Sequence, residues 1–182
     1  MSKNISEKVL YQGQWLSLVE IEYETHKSER LQWECVRRTR SSVTAVIVAR
    51  LKPSDRFVLI KQYRPATDGY VLGFPVGLST GHRDDALREL KEETGYSGTI
   101  KDISPILNSH AGLINDPGMV VYAEVDETLP ENQSPQQELE PGEDITVHLI
   151  KAEDLRHFIQ KESGAGTHIS PGLWYLFGLG PI

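Results

Sequence analysis

Cysteine is nearly absent from this sequence. Cys35 is the only one among 182 residues, so no disulfide framework can form within the chain. Long apolar stretches are missing as well: no run of about 18 apolar residues occurs, which argues against a membrane-spanning helix. The residues after Met1 do not lead into the apolar stretch of a secretory leader. We therefore expect a cytoplasmic protein with no membrane partner.

Basic residues are in the minority. The 19 Lys and Arg residues are outnumbered by 26 Asp and Glu residues, which gives a formal net charge of −7. A general nucleic-acid-binding protein presents basic surface to the phosphate backbone, so this balance argues against that class. Several of the carboxylates are instead available to bind a metal ion that offsets their charge.

The rest of the composition is that of a folded domain. A chain of 182 residues with 38% hydrophobic residues is long enough for one domain with a full core. Strand-like stretches are interrupted by a single central helix, with more helix near the C-terminus, which predicts an α+β or α/β layered fold. A polar, basic joint at 37–42 marks a soft boundary. Residues 1–40 would form a β-rich arm that is too small to fold alone, and residues 41–182 the main domain.

A glycine loop and a short helix occupy residues 77–96, and the helix ends at Gly95. At about 100° per residue, Asp85 lies one turn before three glutamates that share a helix face. Like charges at this spacing destabilise a helix unless a cation compensates, and their hard oxygen atoms suit Mg²⁺ or Mn²⁺. The alternative is a solvated acidic face; the glycine loop and the intervening Arg88 favour the metal site. The three glutamates are Glu89, Glu92 and Glu93.

The same stretch resembles a known family. The run Arg88–Tyr96 matches the second half of the Nudix box, G-x5-E-x7-R-E-U-x-E-E-x-G-U, where U is a bulky apolar residue. Residues Phe74–Leu78 resemble the segment that leads into this box in the family. This resemblance implies an α/β/α sandwich around a mixed central β-sheet, with an N-terminal β-hairpin arm. Four other segments resemble the ADP-ribose and nucleotide-sugar pyrophosphatase branch: Trp15, Trp33–Glu34, Lys61–Pro65 and Gly142–Asp144.

The resemblance implies roles for the residues of the box. Glu89 and Glu93 would be direct ligands of Mg²⁺, or of Mn²⁺, and Glu92 would be a third ligand or bind through water. The carbonyl oxygen of Val76 would complete the coordination. Arg88 would orient one of the box carboxylates, and its alternative reading is an ordinary surface partner four residues from a glutamate.

A general base must come from elsewhere, because metal-bound carboxylates are poor proton acceptors. In the branch that this chain resembles, the base comes from a loop between the last strands, which corresponds here to Leu139–Asp144. Glu143 aligns best with the base, whereas Glu140 has the freedom of a loop that can close over substrate. Both therefore stay candidates for the general base.

The resemblance also implies a substrate site that involves the arm. The nucleobase would be held between Trp15 and Trp33, one from each subunit of a homodimer with exchanged N-terminal arms; a base can stack on an indole for roughly 1–3 kcal/mol. Glu34 would accept a hydrogen bond from an exocyclic amine of the base. Arg38 and Arg64 would contact the phosphates. Leu78, next to the box, would also contact the substrate.

The chain departs from the family pattern at two places. Only ten residues separate Gly77 from Arg88 where the box has thirteen, and the first glutamate of the box has no clear counterpart. Asp84 or Asp85 would stand in for it, although the register equally allows Arg83 or His82 at that place. Ala111 occupies the position at which the ADP-ribose group usually carries a proline.

These residues together predict the reaction. By resemblance, the protein is a Mg²⁺-dependent enzyme that hydrolyses the pyrophosphate bond of nucleoside diphosphate sugars. ADP-ribose is the first choice, with AMP and ribose 5-phosphate as products. One alternative is a pyrophosphatase for another diphosphate, such as GDP-mannose or a dinucleotide. The other is a catalytically weak domain that binds nucleotide sugars as a sensor, which the shortened box suggests.

Overall fold

A computed structural model describes residues 1–40, 42–79 and 82–178 of the chain. Four positions that the sequence patterns include lie outside the described residues: Ser41 in the basic joint, Thr80 and Gly81 in the glycine loop, and Leu179 in the apolar C-terminal segment. The α-helices of the described chain are α1 (Arg83–Thr94), α2 (Pro130–Gln133), α3 (Leu155–Gly164) and α4 (Pro171–Leu173). The strands are β1 (Lys3–Gln12), β2 (Leu16–Glu24), β3 (Arg30–Arg38), β4 (Val43–Lys52), β5 (Arg56–Arg64), β6 (Gly69–Gly73), β7 (Val76–Ser79), β8 (Thr99–Ile103), β9 (Leu107–Asn108), β10 (Pro117–Asp126), β11 (Ile145–Lys151) and β12 (His168–Ile169).

The strands form two sheets. The larger one has the order β12-β6-β5-β4-β10-β8, with β11 paired to β5, β7 paired to β4 and β9 paired to β10. Strands β4 and β10 run parallel, as do β6 and β12, whereas the other neighbouring pairs are antiparallel. This is the mixed central sheet that the resemblance implies.

Strand β4 is buried on both faces of the large sheet, which explains its nearly unbroken run of apolar residues. Ala45, Ile47 and Ala49 belong to the core on one face. Val48 belongs to the core on the opposite face. The alternation follows from the two-residue period of a strand, in which successive side chains point to opposite sides.

Helices cover both faces of this sheet. On one face, α1 buries Ala86 and Leu90, which lie four residues apart on the same side of the helix. On the other face, α3 buries Leu155 and Ile159 and is joined by Leu173 of α4. The layers are therefore helix, sheet and helix, and the predicted α/β/α sandwich is confirmed. None of the described helices has both the length and the apolar composition that crossing a membrane requires.

The N-terminal arm contains the expected hairpin, which β2 and β3 form, and a third strand that pairs with it. Strands β1, β2 and β3 form a separate antiparallel sheet in that order. Strand β1 begins at Lys3 and is exposed along its whole length, so no buried face marks it in the sequence. The described arm buries two residues, Val19 and Cys35, which pair across β2 and β3. It meets the main domain where Val36 pairs with Ile114.

Candidate active site

The predicted acidic helix is α1, and its position is fixed at both ends. Strand β7 leads into it and pairs with β4 over four positions, including Val76 opposite Val46. The helix stops at the predicted residue, Gly95, which has a left-handed φ of 78°. The Gly95 N–H donates to the carbonyl oxygen of Lys91 over 2.7 Å, which closes the last turn.

Glu93 is the most deeply buried carboxylate of the helix, with a relative exposure of 3%. The Val76 N–H donates a hydrogen bond to its Oε2 atom over 2.9 Å. Burial nevertheless raises the pKa of Glu93 to about 8, and the negative charges of Glu143 and Glu89 add to the rise. A buried acid with such a high pKa lacks compensating positive charge, which a bound cation would supply.

Glu89 lies against strand β7 at a place where a side chain at position 77 would displace it. A Cβ atom on Gly77 would lie 2.1 Å from both the Cγ and the Cδ atoms of Glu89. Burial is the largest cause that raises the pKa of Glu89, and the neighbouring Arg88 opposes it. The absent side chain of Gly77 thus makes the room in which the Glu89 carboxylate sits beside the strand that carries Val76.

Arg88 bridges two of the predicted ligands. Its Nη2 atom donates to Oε1 of Glu89 over 2.7 Å, and its Nη1 atom donates to Oε2 of Glu92. These contacts raise the pKa of Arg88, and the hydrogen bond to Glu92 is the largest cause. The orienting role of Arg88 stays a prediction, and its guanidinium is in contact with the carboxylates that such a role concerns.

The oxygen atoms of the predicted ligands are chemically suited to a divalent metal ion, although the side chains are not arranged around one common point. Among the described residues, no three His, Cys, Asp or Glu side chains are grouped closely enough to hold a metal. Glu89 and Glu92 are drawn to Arg88 instead. Glu93 and Glu89 are hard oxygen donors beside the Val76 backbone, and both resist ionisation in the absence of a cation. This chemistry suits Mg²⁺ or a similar ion.

The two candidate bases belong to one tight turn. The Glu140 N–H donates to Oε2 of Glu143 over 2.9 Å, and the Glu143 N–H donates to the carbonyl oxygen of Glu140 over 3.0 Å. The charge of half-buried Glu143 raises the pKa of both Glu89 and Glu93, so its carboxylate lies within electrostatic range of the helix. Glu140 is exposed. The structure thus places Glu143, about 50 residues downstream of Glu93, within electrostatic range of two carboxylates of α1.

Arg64 joins the same group from the end of β5. Its positive charge lowers the pKa of Glu93, although less than burial raises it. Arg64 and Val76 also line a cavity of about 120 Å³ together with Gln62 and Ser170. Gln62 is 7% exposed, and its Oε1 atom has no hydrogen-bond partner within the described part of the chain. Sequence reasoning assigned no role to Gln62, because an amide inside a strand gives no signal of its surroundings.

Arg38 lies in a second group of polar residues, which is organised by Asp116. The guanidinium binds both carboxylate oxygens of Asp116, over 2.7 and 2.8 Å, and Thr44 donates to the same carboxylate over 3.1 Å. The hydrogen bond from Arg38 is the largest cause that lowers the pKa of Asp116. Leu78, which is 49% exposed, is paired with Thr44 on the neighbouring strand. Asp116 was not predicted from the sequence; the available signal was an acidic residue directly before strand β10.

The predicted base-binding residues lie on the arm, where both tryptophans are partly open to solvent. Trp15 is 63% exposed and Trp33 is 48% exposed. Trp33 donates from Nε1 to the carbonyl oxygen of Gly112 over 3.0 Å, and the Trp15 carbonyl oxygen accepts from the N–H of Thr39 over 3.0 Å. Glu34 follows Trp33 in β3, so its side chain emerges on the opposite face of the arm sheet.

Several curated proteins are similar to the chain over most of its length. A Nudix hydrolase of Schizosaccharomyces pombe is 35% identical over 153 residues, which cover 79% of this chain and 75% of that protein. The ADP-ribose pyrophosphatase of Saccharomyces cerevisiae is 38% identical over 148 residues, or 75% of this chain and 64% of that protein. The ADP-sugar pyrophosphatase of Mus musculus is 31% identical over 160 residues, or 82% and 73%. The chain thus spans about two thirds to three quarters of the length of these relatives.

The fold is also found among solved structures. The crystal structure of an ADP compounds hydrolase matches with a TM-score of 0.68 over 87% of this chain and 83% of that one, at 18% sequence identity. No family model matches the sequence. The identity to the S. pombe protein, its coverage of both chains and the shared fold lead to one assignment. The chain belongs to the Nudix hydrolase family.

Proposed function

We propose that the protein is a Mg²⁺-dependent pyrophosphatase that acts on ADP-ribose and related ADP-sugars. It would release AMP and a sugar phosphate, which is ribose 5-phosphate when the substrate is ADP-ribose. Two relatives at 31 and 38% identity are named for ADP-sugars and ADP-ribose, which favours these substrates over GDP-mannose or a dinucleotide. The shared substrate class is a nucleoside diphosphate joined to a sugar.

The observation that carries the proposal is a pair of carboxylates on one helix that lie within electrostatic range of a third carboxylate from a distant part of the chain. Glu89 and Glu93 come from α1, and Glu143 comes from the loop before β11. Each of the two helical glutamates has a raised pKa, to which Glu143 contributes. Phosphoanhydride hydrolysis needs positioned charge more than covalent catalysis, and such a group supplies it once a cation is bound.

Nudix hydrolases generally need a divalent metal ion, and the proposed ion is Mg²⁺, with Mn²⁺ as an alternative. Glu89 and Glu93 would hold it directly, with the carbonyl oxygen of Val76, and Glu92 would bind directly or through water. When bound, a divalent ion offsets the charge of the diphosphate and lowers the pKa of a coordinated water. Arg88 would keep the carboxylates of Glu89 and Glu92 oriented by its two hydrogen bonds.

The water that attacks the diphosphate needs a proton acceptor near the predicted metal ligands. Glu143 is the better candidate, because it is half-buried and lies within electrostatic range of Glu89 and Glu93. Glu140 precedes it in the same turn and is the second candidate. Arg64 would contact a phosphate, since its charge already acts on Glu93 from the end of β5.

The arm, residues 1–40, would act as a dimerisation and base-binding unit. Trp15 is level with Thr39 beside the end of β3, whereas Trp33 is six residues earlier in that strand. At about 3.3 Å per residue the two positions are roughly 20 Å apart along the strand. This separation argues against one base held between the two indoles of one subunit. A homodimer with exchanged arms removes this difficulty by pairing Trp15 of one subunit with Trp33 of its partner.

Three further residues are predicted to contact the substrate, and their surroundings in the structure differ. Arg38 is held by Asp116, so it would approach a phosphate only as part of that pair. Leu78 offers an exposed apolar side chain on the adjacent strand. Glu34 remains the predicted acceptor for an exocyclic amine of the base.

The proposal is tested by assays of nucleoside monophosphate release from a panel of nucleoside diphosphate sugars with Mg²⁺. ADP-ribose and ADP-sugars are expected to be hydrolysed with higher kcat/KM than GDP-mannose or a dinucleotide. A higher kcat/KM for a substrate without adenine would show that ADP-ribose is not the preferred substrate. Tight binding of ADP-ribose without turnover of any substrate would instead identify a nucleotide-sugar sensor.

A further inference from the structure

The loop that carries both candidate bases is held at its first end by the C-terminal turn of α1. The Glu138 N–H donates to the carbonyl oxygen of Glu92 over 2.8 Å. The Gln137 amide donates from Nε2 to the carbonyl oxygens of Glu93 and Ile145, over 2.6 and 3.3 Å. This end of the loop is therefore tied to the backbone of two predicted metal ligands.

The second end of the loop is held at Asp144, directly after Glu143. The Tyr70 hydroxyl donates to Oδ2 of Asp144, and the Tyr63 N–H donates to the Asp144 carbonyl oxygen over 3.1 Å. The hydrogen bond to Asp144 is the largest cause that raises the pKa of Tyr70. A side-chain bond and a backbone bond thus meet at one residue next to the candidate base.

Between these two anchors the turn has little support of its own. Gly142 has a left-handed φ of 95°, and a Cβ atom added there would find no other atom within 4 Å. The turn at Glu140–Glu143 is closed by hydrogen bonds within itself. Internal bonds fix the shape of the turn, but they do not fix where it stands relative to α1. That position depends on the anchors, of which Asp144 is adjacent to Glu143.

We infer that Tyr70 is a positioning residue, which sets the position of the Glu143 carboxylate relative to α1 by holding Asp144. This inference rests on the proposed function, in which Glu143 is the general base. A proton acceptor displaced by about 1 Å can cost on the order of a hundredfold in rate, because proton transfer requires hydrogen-bond distance to the attacking water. Tyr70 itself touches neither the water nor the metal ligands in this scheme; it acts through Asp144.

Tyr63 provides a matched control. Tyr63 and Tyr70 are cross-strand partners on β5 and β6, are 38 and 39% exposed, and have ring centroids 5.7 Å apart. The Tyr63 hydroxyl also donates to an aspartate over 2.8 Å, but that residue is Asp68, at the end of the connection between the two strands. Tyr63→Phe therefore removes an equivalent hydroxyl without touching the base loop, and it keeps the Tyr63 N–H that holds Asp144.

The first measurement is the steady-state kinetics of Tyr70→Phe and Tyr63→Phe on ADP-ribose. Tyr70→Phe is expected to lower kcat about tenfold with KM within twofold of wild type, whereas Tyr63→Phe keeps both. Asp144→Asn, which still accepts from the Tyr70 hydroxyl, is expected to retain more activity than Asp144→Ala. Equal kcat in Tyr70→Phe and Tyr63→Phe would overturn the inference.

The second measurement asks whether Tyr70 acts through Glu143. Tyr70→Phe is combined with Glu143→Gln and, separately, with Glu140→Gln. In the Glu143→Gln background the hydroxyl is expected to have no further effect on kcat, and in the Glu140→Gln background the tenfold loss is expected to persist. The same loss in both backgrounds would show a general effect on the fold and would overturn the positioning role.

The third measurement does not depend on activity, so it separates failure of the inference from failure of the proposed function. Amide hydrogen exchange of residues 139–145 is expected to be faster in Tyr70→Phe than in Tyr63→Phe, because one anchor of the loop is lost. Unchanged exchange would overturn the role of Tyr70 even if the enzyme hydrolyses ADP-ribose. Faster exchange in a protein that hydrolyses none of the panel would support the anchor and reject the hydrolase.

Discussion

Gly77 and Glu89 are complementary in shape: the glutamate side chain fills the space that a side chain at position 77 would need. A Cβ atom on Gly77 would lie 2.1 Å from the Glu89 Cδ atom and 2.5 Å from its Oε2 atom. Such distances require one of the two groups to move. The glycine is thus needed for the close approach of a predicted metal ligand to the strand that carries Val76, rather than for an unusual backbone conformation.

Gly77→Ala should therefore displace the Glu89 carboxylate and reduce activity. We expect kcat/KM for ADP-ribose to fall on the order of a hundredfold, because a small displacement of a ligand disrupts the arrangement of the reacting groups. Gly164→Ala is the matched control, since a Cβ atom there meets no other atom within 4 Å. Wild-type kinetics in Gly77→Ala would show that Glu89 is not needed where the structure places it.

The buried carboxylate of Glu93 predicts how a metal ion affects stability. A cation that binds the folded protein at 100 times its Kd stabilises it by about 2.7 kcal/mol. Mg²⁺ should therefore raise the Tm of the wild-type protein by several degrees, and it should raise the Tm of Glu93→Gln much less, because the variant lacks the charged ligand. Thermal unfolding with and without Mg²⁺ measures both. An equal rise in the two proteins would remove Glu93 from the ligand set.

The same residue predicts a pH dependence of stability in metal-free protein. The pKa of Glu93 is raised in the folded state from 4.5 to about 8, so between these values the folded protein keeps a proton that the unfolded chain releases. The free energy of unfolding should then fall as pH rises through this window, by at most about 1.4 kcal/mol per pH unit from this group, and the penalty is constant above pH 8.

Glu93→Gln isolates this contribution, because the other titrating groups are common to both proteins. The variant should be more stable than wild type at pH 8, and the difference should shrink as the pH approaches 4.5. Denaturant unfolding at a series of pH values in the presence of a chelator measures it. A constant difference across the window would mean that Glu93 ionises at an ordinary pKa.

Much of the fold and of the acidic helix could be predicted from local sequence. Periodicity and a C-terminal glycine identify α1 and its end at Gly95, and like charges on one face identify the need for a cation. The apolar run of β4 predicts a strand buried on both sides. Only the end of strand β1, from Val9, could be predicted, because all ten residues of the strand are exposed and its pairing with β2 leaves no long hydrophobic pattern.

Hydrogen bonds between residues that are far apart in the sequence could not be predicted from local sequence patterns. Arg38 and Asp116 are 78 positions apart in the sequence. Only the tertiary structure shows that the Arg38 guanidinium, which was predicted to contact a phosphate, donates hydrogen bonds to Asp116. Tyr70 and Asp144 are 74 positions apart, and the importance of the pair follows from the place of Asp144 beside Glu143. Hydrogen bonds of this kind depend on which strands become neighbours, and a motif does not encode that.

The proposed exchange of arms makes a prediction that separates two arrangements of the base site. If Trp15 and Trp33 of different subunits hold one base, a heterodimer of Trp15→Ala and Trp33→Ala contains one site with both indoles and one with neither. Each homodimer of a single variant lacks one indole at both sites. Loss of one stacking partner, worth roughly 1–3 kcal/mol, should raise KM about fivefold or more.

The heterodimer is made by co-expression with two different affinity tags, and its ADP-ribose kinetics are compared with those of doubly tagged wild type. One intact site per dimer should give a wild-type KM with about half the wild-type kcat. A heterodimer with the raised KM of the single variants would mean that each site draws both tryptophans from one subunit. A monomer in sedimentation at micromolar concentration would contradict the exchange of arms altogether.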